Sequence, residues 1–402
     1  MSVVIARKLG AETAGFFFLC LAVITFMQHI CRLGMDNVVL RSIATSYSSE
    51  EKYQIGKIVN SLAVIIFIVG LLIGLALSGS SYWIANYLFR KPEIYHHLRS
   101  FSLAVPFLSV SFLLGYAFQG QLKLIPMIMA QNLVLNILLI LSILFFAASD
   151  GADVSLYFVA CTAVSCIISF IIWKSGELGA GYGHLSSTWT FLKQGTSFFH
   201  VVLLQQCMAW FPIILIGVFT TSAEVAIFSS ANRIASLAAF LLLSVNTVLG
   251  PRFSSMFKQG KLFEIEATLR TYAKTTIVLS LPYILVVLLF PKWVMSLFGP
   301  DFVEGSKVLQ ILCMGQVVNL LTGSVGLLLM MAHQERAWRL IIGFSFLSNI
   351  ILCVFLIPAY QAEGAAMAAS FSLSLQMVIA SVVVWRLFGI VSTPLLPTLC
   401  KG

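Results

Sequence analysis

Basic side chains interrupt the apolar segments of this 402-residue chain at positions where a membrane protein rarely tolerates charge. The clearest case is Arg233, about ten residues into the apolar run 223–252, which is ~15 Å from its start at ~1.5 Å per residue. A central arginine on a lipid-facing helix costs roughly 2.5–3.5 kcal/mol. We therefore expect Arg233 to face the interior of a helix bundle or a wet cavity.

The other ionisable side chains in or at the ends of the apolar runs are also basic. They are His29, Arg32, Lys57, Arg99, His200 and Lys274. None of the 15 acidic residues lies well inside a predicted span. Because a guanidinium group binds phosphate through two parallel hydrogen bonds, these residues predict a cationic cavity that holds an anionic substrate.

Each of these basic residues except Arg233 also has a simpler interpretation. Lys57, Arg99 and Lys274 lie near span ends, from which a long side chain reaches the lipid head groups. Arg32 ends its run beside Asp36 and could be an interface anchor. His29 and His200 could be satisfied histidines of the core.

The composition identifies the protein as an integral membrane protein. The chain is 59% hydrophobic and only 10% charged, whereas soluble domains are about 25% charged. Apolar runs of ~20 residues span a bilayer and must be helical there, which predicts an all-α membrane fold. The eleven predicted spans are 12–33, 57–78, 98–118, 125–148, 154–173, 195–219, 223–249, 271–298, 307–332, 339–358 and 364–389.

The remaining chemistry-bearing residue types show no pattern of an enzyme or a metalloprotein. The cysteines lie mostly in apolar runs without CxxC spacing, and no GxxxxGK[ST] motif occurs. We predict no metal, no cofactor and no catalytic activity. Short predicted outside loops argue against a membrane enzyme such as a glycan polymerase or ligase. The net charge of +9 is typical of the positive-inside rule, so no nucleic-acid partner is expected.

An internal repeat with an offset of about 212 residues organises the chain. Residues 11–14 (AETA) align with residues 223–226 (AEVA), so Glu12 and Glu224 begin equivalent helices, where a carboxylate suits the positive end of the helix dipole. Tryptophans recur in the same register, namely Trp83 near Trp293 and Trp173 with Trp385. Since each unit holds six helices, both halves should have the same orientation, related by an axis along the membrane normal.

The repeat predicts the domain limits. We expect an N-terminal bundle at 1–173 with five helices, a cytoplasmic linker at 174–194, a C-terminal six-helix bundle at 195–389 and a cytoplasmic tail at 390–402. The partner of helix 195–219 would precede residue 1, so the first helix of a twelve-helix design is expected to be missing. Three explanations stay open: an upstream start codon, a trimmed sequence or a protein that works with eleven helices.

The distribution of lysine and arginine predicts the orientation. One set of alternate loops and span edges carries thirteen of the 24 basic residues, and the opposite set carries six. By the positive-inside rule, the first set, which includes the C-terminus, is cytoplasmic. Pro106, Pro212 and Pro282 lie within spans, where proline bends helices.

Several segments together resemble a known group of transporters. They are ARKLGAETAGFF (6–17), RLGMDNVVLRSIA (32–44), TTSAEVAIFSSANRIASLAAF (220–240), LGPRFSSMFKQGK (249–261) and YQAEGAAMAASFS (360–372). The chain resembles the polysaccharide-exporter branch of the multidrug/oligosaccharidyl-lipid/polysaccharide superfamily, and within it the Wzx-type O-antigen flippases. The resemblance implies two six-helix bundles in a V, as in MATE transporters.

The resemblance also implies a function and partners. The chain would move undecaprenyl-pyrophosphate-linked oligosaccharide, such as an O-antigen unit for lipopolysaccharide biosynthesis, from the cytoplasmic to the periplasmic leaflet of a bacterial inner membrane. Alternating access coupled to an ion gradient is the expected mechanism. A polysaccharide polymerase and a chain-length regulator are the expected protein partners. The alternative is a multidrug/cation antiporter of the same superfamily, which would favour acidic residues inside the bundle.

Overall fold

The computed structural model describes residues 1–46, 49–145, 151–176, 178, 181–183 and 185–392. Throughout these ranges the regular secondary structure is helical, and no β-strand occurs in them. An apolar run that crosses a membrane as a helix satisfies all its backbone hydrogen bonds internally, which explains this uniformity. The predicted all-α membrane fold is confirmed.

Fifteen α-helices are defined within the described ranges. Those before residue 175 are α1 (Ser2–Arg32), α2 (Met35–Thr45), α3 (Ser49–Trp83), α4 (Ile94–Ser102), α5 (Val105–Gly120), α6 (Leu124–Ile128), α7 (Val134–Phe145) and α8 (Gly151–Lys174). The later ones are α9 (Leu185–Phe219), α10 (Ser222–Lys258), α11 (Leu262–Leu289), α12 (Pro291–Ser296), α13 (Ser306–Thr322), α14 (Val325–Met331) and α15 (Glu335–Phe388). Short π-helical turns at Ile84–Leu88 and Met129–Leu133 and a 3₁₀ turn at Pro300–Gly305 connect some of them.

Seven helical segments of the described chain are long and apolar enough to cross a membrane. They are Ser2–Arg32, Tyr53–Leu88, Leu124–Phe145, Val154–Lys174, Phe199–Phe219, Leu262–Leu289 and Glu335–Phe388. Two bent helix pairs are also long and apolar enough when each pair is taken together: α4 with α5, bent by 47°, and Pro300–Thr322 with α14, bent by 45°. The first bend lies next to Pro106, which starts α5 instead of interrupting it. Pro212 and Pro282 lie inside α9 and α11, as predicted.

Two helices reconcile these segments with the eleven predicted spans. The 54 residues of α15 exceed the ~20 needed for one crossing, and Gln361, with φ 51° and ψ −128°, divides the helix in two. The two parts coincide with the predicted spans 339–358 and 364–389. The 37-residue helix α10 covers the predicted span 223–249. A helix therefore lies at each predicted span, although 146–148 fall outside the described residues.

Several helices extend beyond their predicted spans, as α9 does by beginning at Leu185, and the predicted span 271–298 is divided between two helices. The span expected at 271–298 is helix α11, which begins at Leu262, followed by the separate short helix α12. The first turns of α11 carry charged residues, so the apolar run begins later than the helix. Lys274 consequently lies twelve residues into the helix, so its side chain is not close to a helix end.

The chain forms two compact units, Met1–Trp210 and Phe211–Gly402, and their boundary falls inside α9. In the first unit, α5 packs against α1, α2, α3 and α8. In the second unit, α13 packs against α10, α11 and α15. The predicted domain and linker limits stay predictions.

The core of the first unit is apolar and closely packed. Met35, Val59, Leu113 and Trp173 are four of its fully buried members. Gly70 allows α3 to approach α5, because a Cβ at this glycine would lie 2.8 Å from the Cα of Pro106. The seven cysteines in the described ranges are buried free thiols, which pack as small residues of the core.

Candidate functional site

Arg32 is the centre of a polar cluster enclosed within the first unit. It is the last residue of α1, and its side chain has no solvent exposure. Its Nε atom lies 2.8 Å from Oδ1 and 3.0 Å from Oδ2 of Asp36, on the first turn of α2. A buried charge requires such a partner, because an isolated ion in a low-dielectric interior is very costly.

A break in the helical path allows this ion pair to form. Leu33 and Gly34, between α1 and α2, both adopt left-handed conformations, with φ of 46° and 76°. A Cβ at Gly34 would lie 2.6 Å from the carbonyl oxygen of Gly195 and 3.0 Å from the backbone nitrogen of Phe199. The α1–α2 junction therefore lies directly against α9. Glycine suits position 34 because it adopts the left-handed conformation without strain and leaves room for the backbone of α9.

His29 and Phe112 complete the surroundings of the guanidinium group. Nη2 of Arg32 lies 2.7 Å from Nδ1 of His29, one turn earlier on α1. Because arginine can only donate, Nδ1 must accept this hydrogen bond, so His29 is a neutral imidazole with its proton on Nε2. The Cζ atom of Arg32 lies 5.0 Å from the ring centroid of Phe112 on α5, a distance suited to a cation–π interaction.

Part of the hydrogen-bonding capacity of this cluster is unused. Nη1 of Arg32 is buried without a hydrogen-bond partner among the described residues. Oε1 of Gln28, one turn of α1 away, is in the same state. A buried donor and a buried acceptor left without partners are costly, so this cluster has the capacity to bind a further polar group.

The second unit positions Arg233 on helix α10. The side chain is partly buried, about three turns into the helix. The next residue, Ile234, accepts a hydrogen bond at its backbone carbonyl from the hydroxyl of Tyr283 on α11. This contact ties the turn that carries Arg233 to the neighbouring helix.

The structure brings together two of the six predicted site residues, His29 and Arg32. His200 is exposed on α9, beside Phe199, and its ring centroid lies 6.1 Å from that of Phe199. Lys57 on α3 is half-buried, with its Nζ atom 4.5 Å from the ring centroid of Tyr53. Lys274 is exposed on α11. Lys274 and Arg233 belong to the second unit, and the other four residues belong to the first.

Sequence reasoning missed two features of the Arg32 cluster. Asp36 was identified only as a neighbour of Arg32, because the two residues pair across the turn between α1 and α2 and do not share one helical face. The spacing alone did not reveal that both side chains are buried. The contact with Phe112, 80 residues away in the chain, has no signal in the local sequence.

The first 257 residues match the model of the family described as polysaccharide biosynthesis protein. This chain belongs to that family. Residues 198–355 also match the MatE family. Together, the two matches show that the chain is a multi-pass membrane protein of the multidrug/oligosaccharidyl-lipid/polysaccharide superfamily, as its motifs predict.

Curated relatives of the chain come from the archaeon Haloferax volcanii. A probable low-salt glycan biosynthesis flippase, Agl15, is 23% identical over 387 residues, which are 93% of this chain and 77% of that protein. A probable flippase, AglR, is 27% identical over 183 residues, covering 44% of this chain and 38% of that protein.

Solved structures share the fold of the chain. The lipid II flippase MurJ in an inward closed conformation superposes with a TM-score of 0.75 at 16% identity, covering 95% of this chain and 84% of MurJ. A multidrug resistance MATE transporter in an inward-facing conformation gives a TM-score of 0.78 at 13% identity, covering 96% of this chain and 93% of the transporter. These likenesses establish a MATE-like fold.

Proposed function

We propose that this protein is a flippase for lipid-linked oligosaccharides. The observation that carries the proposal is the relationship to a probable glycan biosynthesis flippase along 93% of the chain. Membership in the polysaccharide biosynthesis family supports the same class of substrate. The finer proposal is an undecaprenyl-pyrophosphate carrier bearing an O-antigen or similar surface-polysaccharide unit, moved from the cytoplasmic to the periplasmic leaflet of a bacterial inner membrane.

The basic residues of the spans support an anionic substrate. Arg32 and Arg233 lie on α1 and α10, which are equivalent in the sequence repeat, one in each unit. A pyrophosphate group is best recognised by guanidinium groups, because their planar fork matches the geometry of two phosphate oxygens. We propose that Arg233 contacts the pyrophosphate directly. The substrate contacts of His29, His200, Lys57 and Lys274 stay predictions.

The enclosure of Arg32 suggests how it would act. Its guanidinium group already has Asp36 as counter-ion, so a substrate phosphate would have to compete with a carboxylate. In an alternating-access cycle, helix movement would expose the unused Nη1 donor in one state and bury it in another. Coupling of this cycle to an ion gradient is part of the proposal, as is delivery of the product to a polymerase with its chain-length regulator.

Transport in proteoliposomes tests the proposal. The full chain is reconstituted with a fluorescent lipid-linked oligosaccharide, and protection of the label from a membrane-impermeant quencher is followed with time. We expect protein-dependent movement that Arg233→Ala slows by at least tenfold and Arg233→Lys slows less. Wild-type rates for Arg233→Ala, at equal reconstituted amount, would show that the role assigned to Arg233 is wrong.

The alternative function is a multidrug/cation antiporter. The MATE fold and the MatE match at 198–355 favour it as much as they favour a flippase. Against it, cationic drugs require anionic sites, whereas the candidate site residues on the helices are basic. Expression in a host that lacks its drug pumps discriminates the two functions. Raised drug resistance without movement of lipid-linked oligosaccharide would replace the flippase proposal with the antiporter.

A further inference from the structure

The first unit contains an apolar groove between α3, α5 and α8 that the proposed transport function does not use. Its volume is about 300 Å³, at the lower end of the ~300–1,000 Å³ range of ligand pockets. Each lining residue is nonpolar or a thiol: Ala63, Val64, Phe67, Phe107, Val110, Cys166, Ile167, Phe170 and Ile171. Such a lining suits a hydrocarbon chain and offers nothing to a polar ligand.

The groove opens on a hydrophobic face of the spans. On α3, Val64 and Ile68 are 45% and 51% exposed, and Leu72 continues the same stripe. On α8, Ile167 and Ile171 are 56% and 60% exposed. Both helices are long and apolar enough to cross a membrane. Two uncovered apolar stripes on membrane-crossing helices are suited to contact with lipid tails, so the groove is accessible from the hydrocarbon region.

Two lysines lie at one end of this groove. The Nζ atom of Lys174, on the last turn of α8, is 5.5 Å from the ring centroid of Phe170, which lines the groove. The same Nζ atom is 4.7 Å from the ring centroid of Tyr182. Lys57 precedes the lining residue Ala63 on α3 by six positions, or ~9 Å along the helix.

A network of hydrogen bonds shows that the two lysines belong to the same end. The backbone N–H of Gly183 donates to the carbonyl oxygen of Lys57 at 2.9 Å. The side-chain amide of Asn60 donates to the carbonyl oxygen of Gly181 at 2.6 Å and accepts from the indole nitrogen of Trp173 at 2.7 Å. The segment 181–183 thus connects the ends of α3 and α8 and positions both cations.

Among the residues that the structure describes, no carboxylate forms an ion pair with either ammonium group. Each instead contacts aromatic rings. The distribution of basic residues predicts that this end of the spans is cytoplasmic. Basic pockets between helices on that side of a membrane bind anionic lipid head groups.

We propose that this groove binds an anionic glycerophospholipid of the bilayer, with an acyl chain in the cavity and the phosphate between Lys57 and Lys174. The occupant is a bilayer lipid because the groove opens on the lipid-facing stripes and its cations lie where anionic head groups concentrate. In this proposal Lys57 contacts a lipid head group. This is the simpler of the two interpretations that the sequence allows for Lys57, the other being contact with the transported substrate.

Native mass spectrometry of the full-length protein tests this site. The delipidated protein is titrated with phosphatidylglycerol and, in parallel, with phosphatidylcholine of the same acyl chains. We expect one phosphatidylglycerol to bind in preference. The double variant Lys57→Gln/Lys174→Gln should weaken its binding by roughly 30-fold, since each lysine near an anionic lipid contributes about fivefold and the two factors multiply. The double variant Lys57→Arg/Lys174→Arg should retain it.

Matched variants separate the groove from general effects. Val64→Phe places a ring in the groove and should prevent binding, whereas Ile68→Phe on the same stripe should not. Lys123→Gln/Lys193→Gln removes the same charge elsewhere and should leave binding unchanged. Equal binding of the two lipids, or unchanged binding in the Lys57/Lys174 double variant, would overturn the proposal. A polyprenyl phosphate that displaces phosphatidylglycerol at equal concentration would overturn the choice of occupant.

Discussion

The Nε atom of Arg32 lies 2.8 Å from Oδ1 of Asp36, in an ion pair whose two side chains are 0% and 7% exposed. The pair joins the end of α1 to the start of α2 across a left-handed turn. Through Nη2 it also orients His29. The geometry of the α1–α2 junction, which packs against α9, therefore depends on a charge that α2 supplies.

Removing the carboxylate of Asp36 alone should destabilise the protein more than removing both members of the Arg32–Asp36 ion pair. Asp36→Asn leaves Arg32 charged and buried, and we expect a loss of about 3–5 kcal/mol in the free energy of unfolding. The double variant Arg32→Met/Asp36→Leu should lose less, because no uncompensated charge remains. The measurement is unfolding of the purified protein in a fixed detergent.

An exposed ion pair provides the control for Asp36→Asn. Lys261 and Glu264 are 3.0 Å apart, with side chains 47% and 52% exposed. Lys261→Gln should cost less than about 1 kcal/mol. If Asp36→Asn unfolds no more easily than Lys261→Gln, the Arg32–Asp36 pair does not stabilise the junction.

Gly34→Ala should destabilise the protein by more than backbone strain alone. A left-handed conformation costs a non-glycine residue about 1–2 kcal/mol. Gly260 has a similar φ of 69° in open space, so Gly260→Ala reports this strain by itself. At Gly34 the added methyl group also meets the backbone of Gly195 at 2.6 Å. We expect a clearly lower unfolding midpoint for Gly34→Ala, and equal midpoints would argue against close packing of α9 here.

Asn60→Leu should leave the indole N–H of Trp173 buried without an acceptor. Trp173 is 1% exposed, and Asn60 Oδ1 accepts its hydrogen bond at 2.7 Å. The expected loss is about 1–3 kcal/mol in the free energy of unfolding. In Asn60→Leu/Trp173→Phe the donor is gone as well, so a thermodynamic cycle isolates the interaction. Strictly additive losses in that cycle would contradict a Trp173–Asn60 bond.

Glu224 stabilises a helix other than its own. Its Oε2 atom accepts a hydrogen bond from the backbone N–H of Ala362 at 3.1 Å, just after the break in α15 at Gln361. The start of α10 is capped instead by the side chain of Thr221. Glu224→Ala should therefore cost about 1–2 kcal/mol, and Glu224→Gln less, since its amide oxygen can still accept.

The sequence-equivalent residue Glu12 serves as the control for Glu224. It is exposed on α1, and Glu12→Ala should change the unfolding midpoint little. Hydrogen exchange should show faster exchange of the amide of Ala362 in Glu224→Ala and not in Glu12→Ala. Unchanged protection of that amide in both variants would contradict the capping role of Glu224.

The fold was largely predictable from the sequence, for a physical reason. An apolar run of ~20 residues in a bilayer must be helical to satisfy its backbone hydrogen bonds. The span 57–78, which helix α3 contains, could therefore be predicted without any tertiary contact. The sequence also indicated the break in α15, because Gln361 lies between the predicted spans 339–358 and 364–389. The hydropathy pattern did not indicate that the chain turns there at a single residue with a positive φ.

The repeat predicted which residues are related but not how each is packed. Trp83 and Trp293 align, and both are exposed, at 62% and 61%. Trp173 and Trp385 align equally well, yet Trp173 is 1% exposed and Trp385 is 48% exposed. Trp173 is part of the core of the first unit, where its indole N–H donates to Asn60 and its ring centroid lies 5.7 Å from that of Phe118.

By itself, the sequence determined the membrane class, the helical spans and the presence of arginines within them. These properties depend on the transfer free energy of each segment, which is local information. The tertiary structure alone decided that Arg32 is enclosed by Asp36, His29 and Phe112. It also decided that Lys57 and Lys174 share one end of a groove. These relationships join segments that are up to more than a hundred residues apart in the chain. Helix packing determines them, because the hydropathy of a segment does not specify which other helix it contacts.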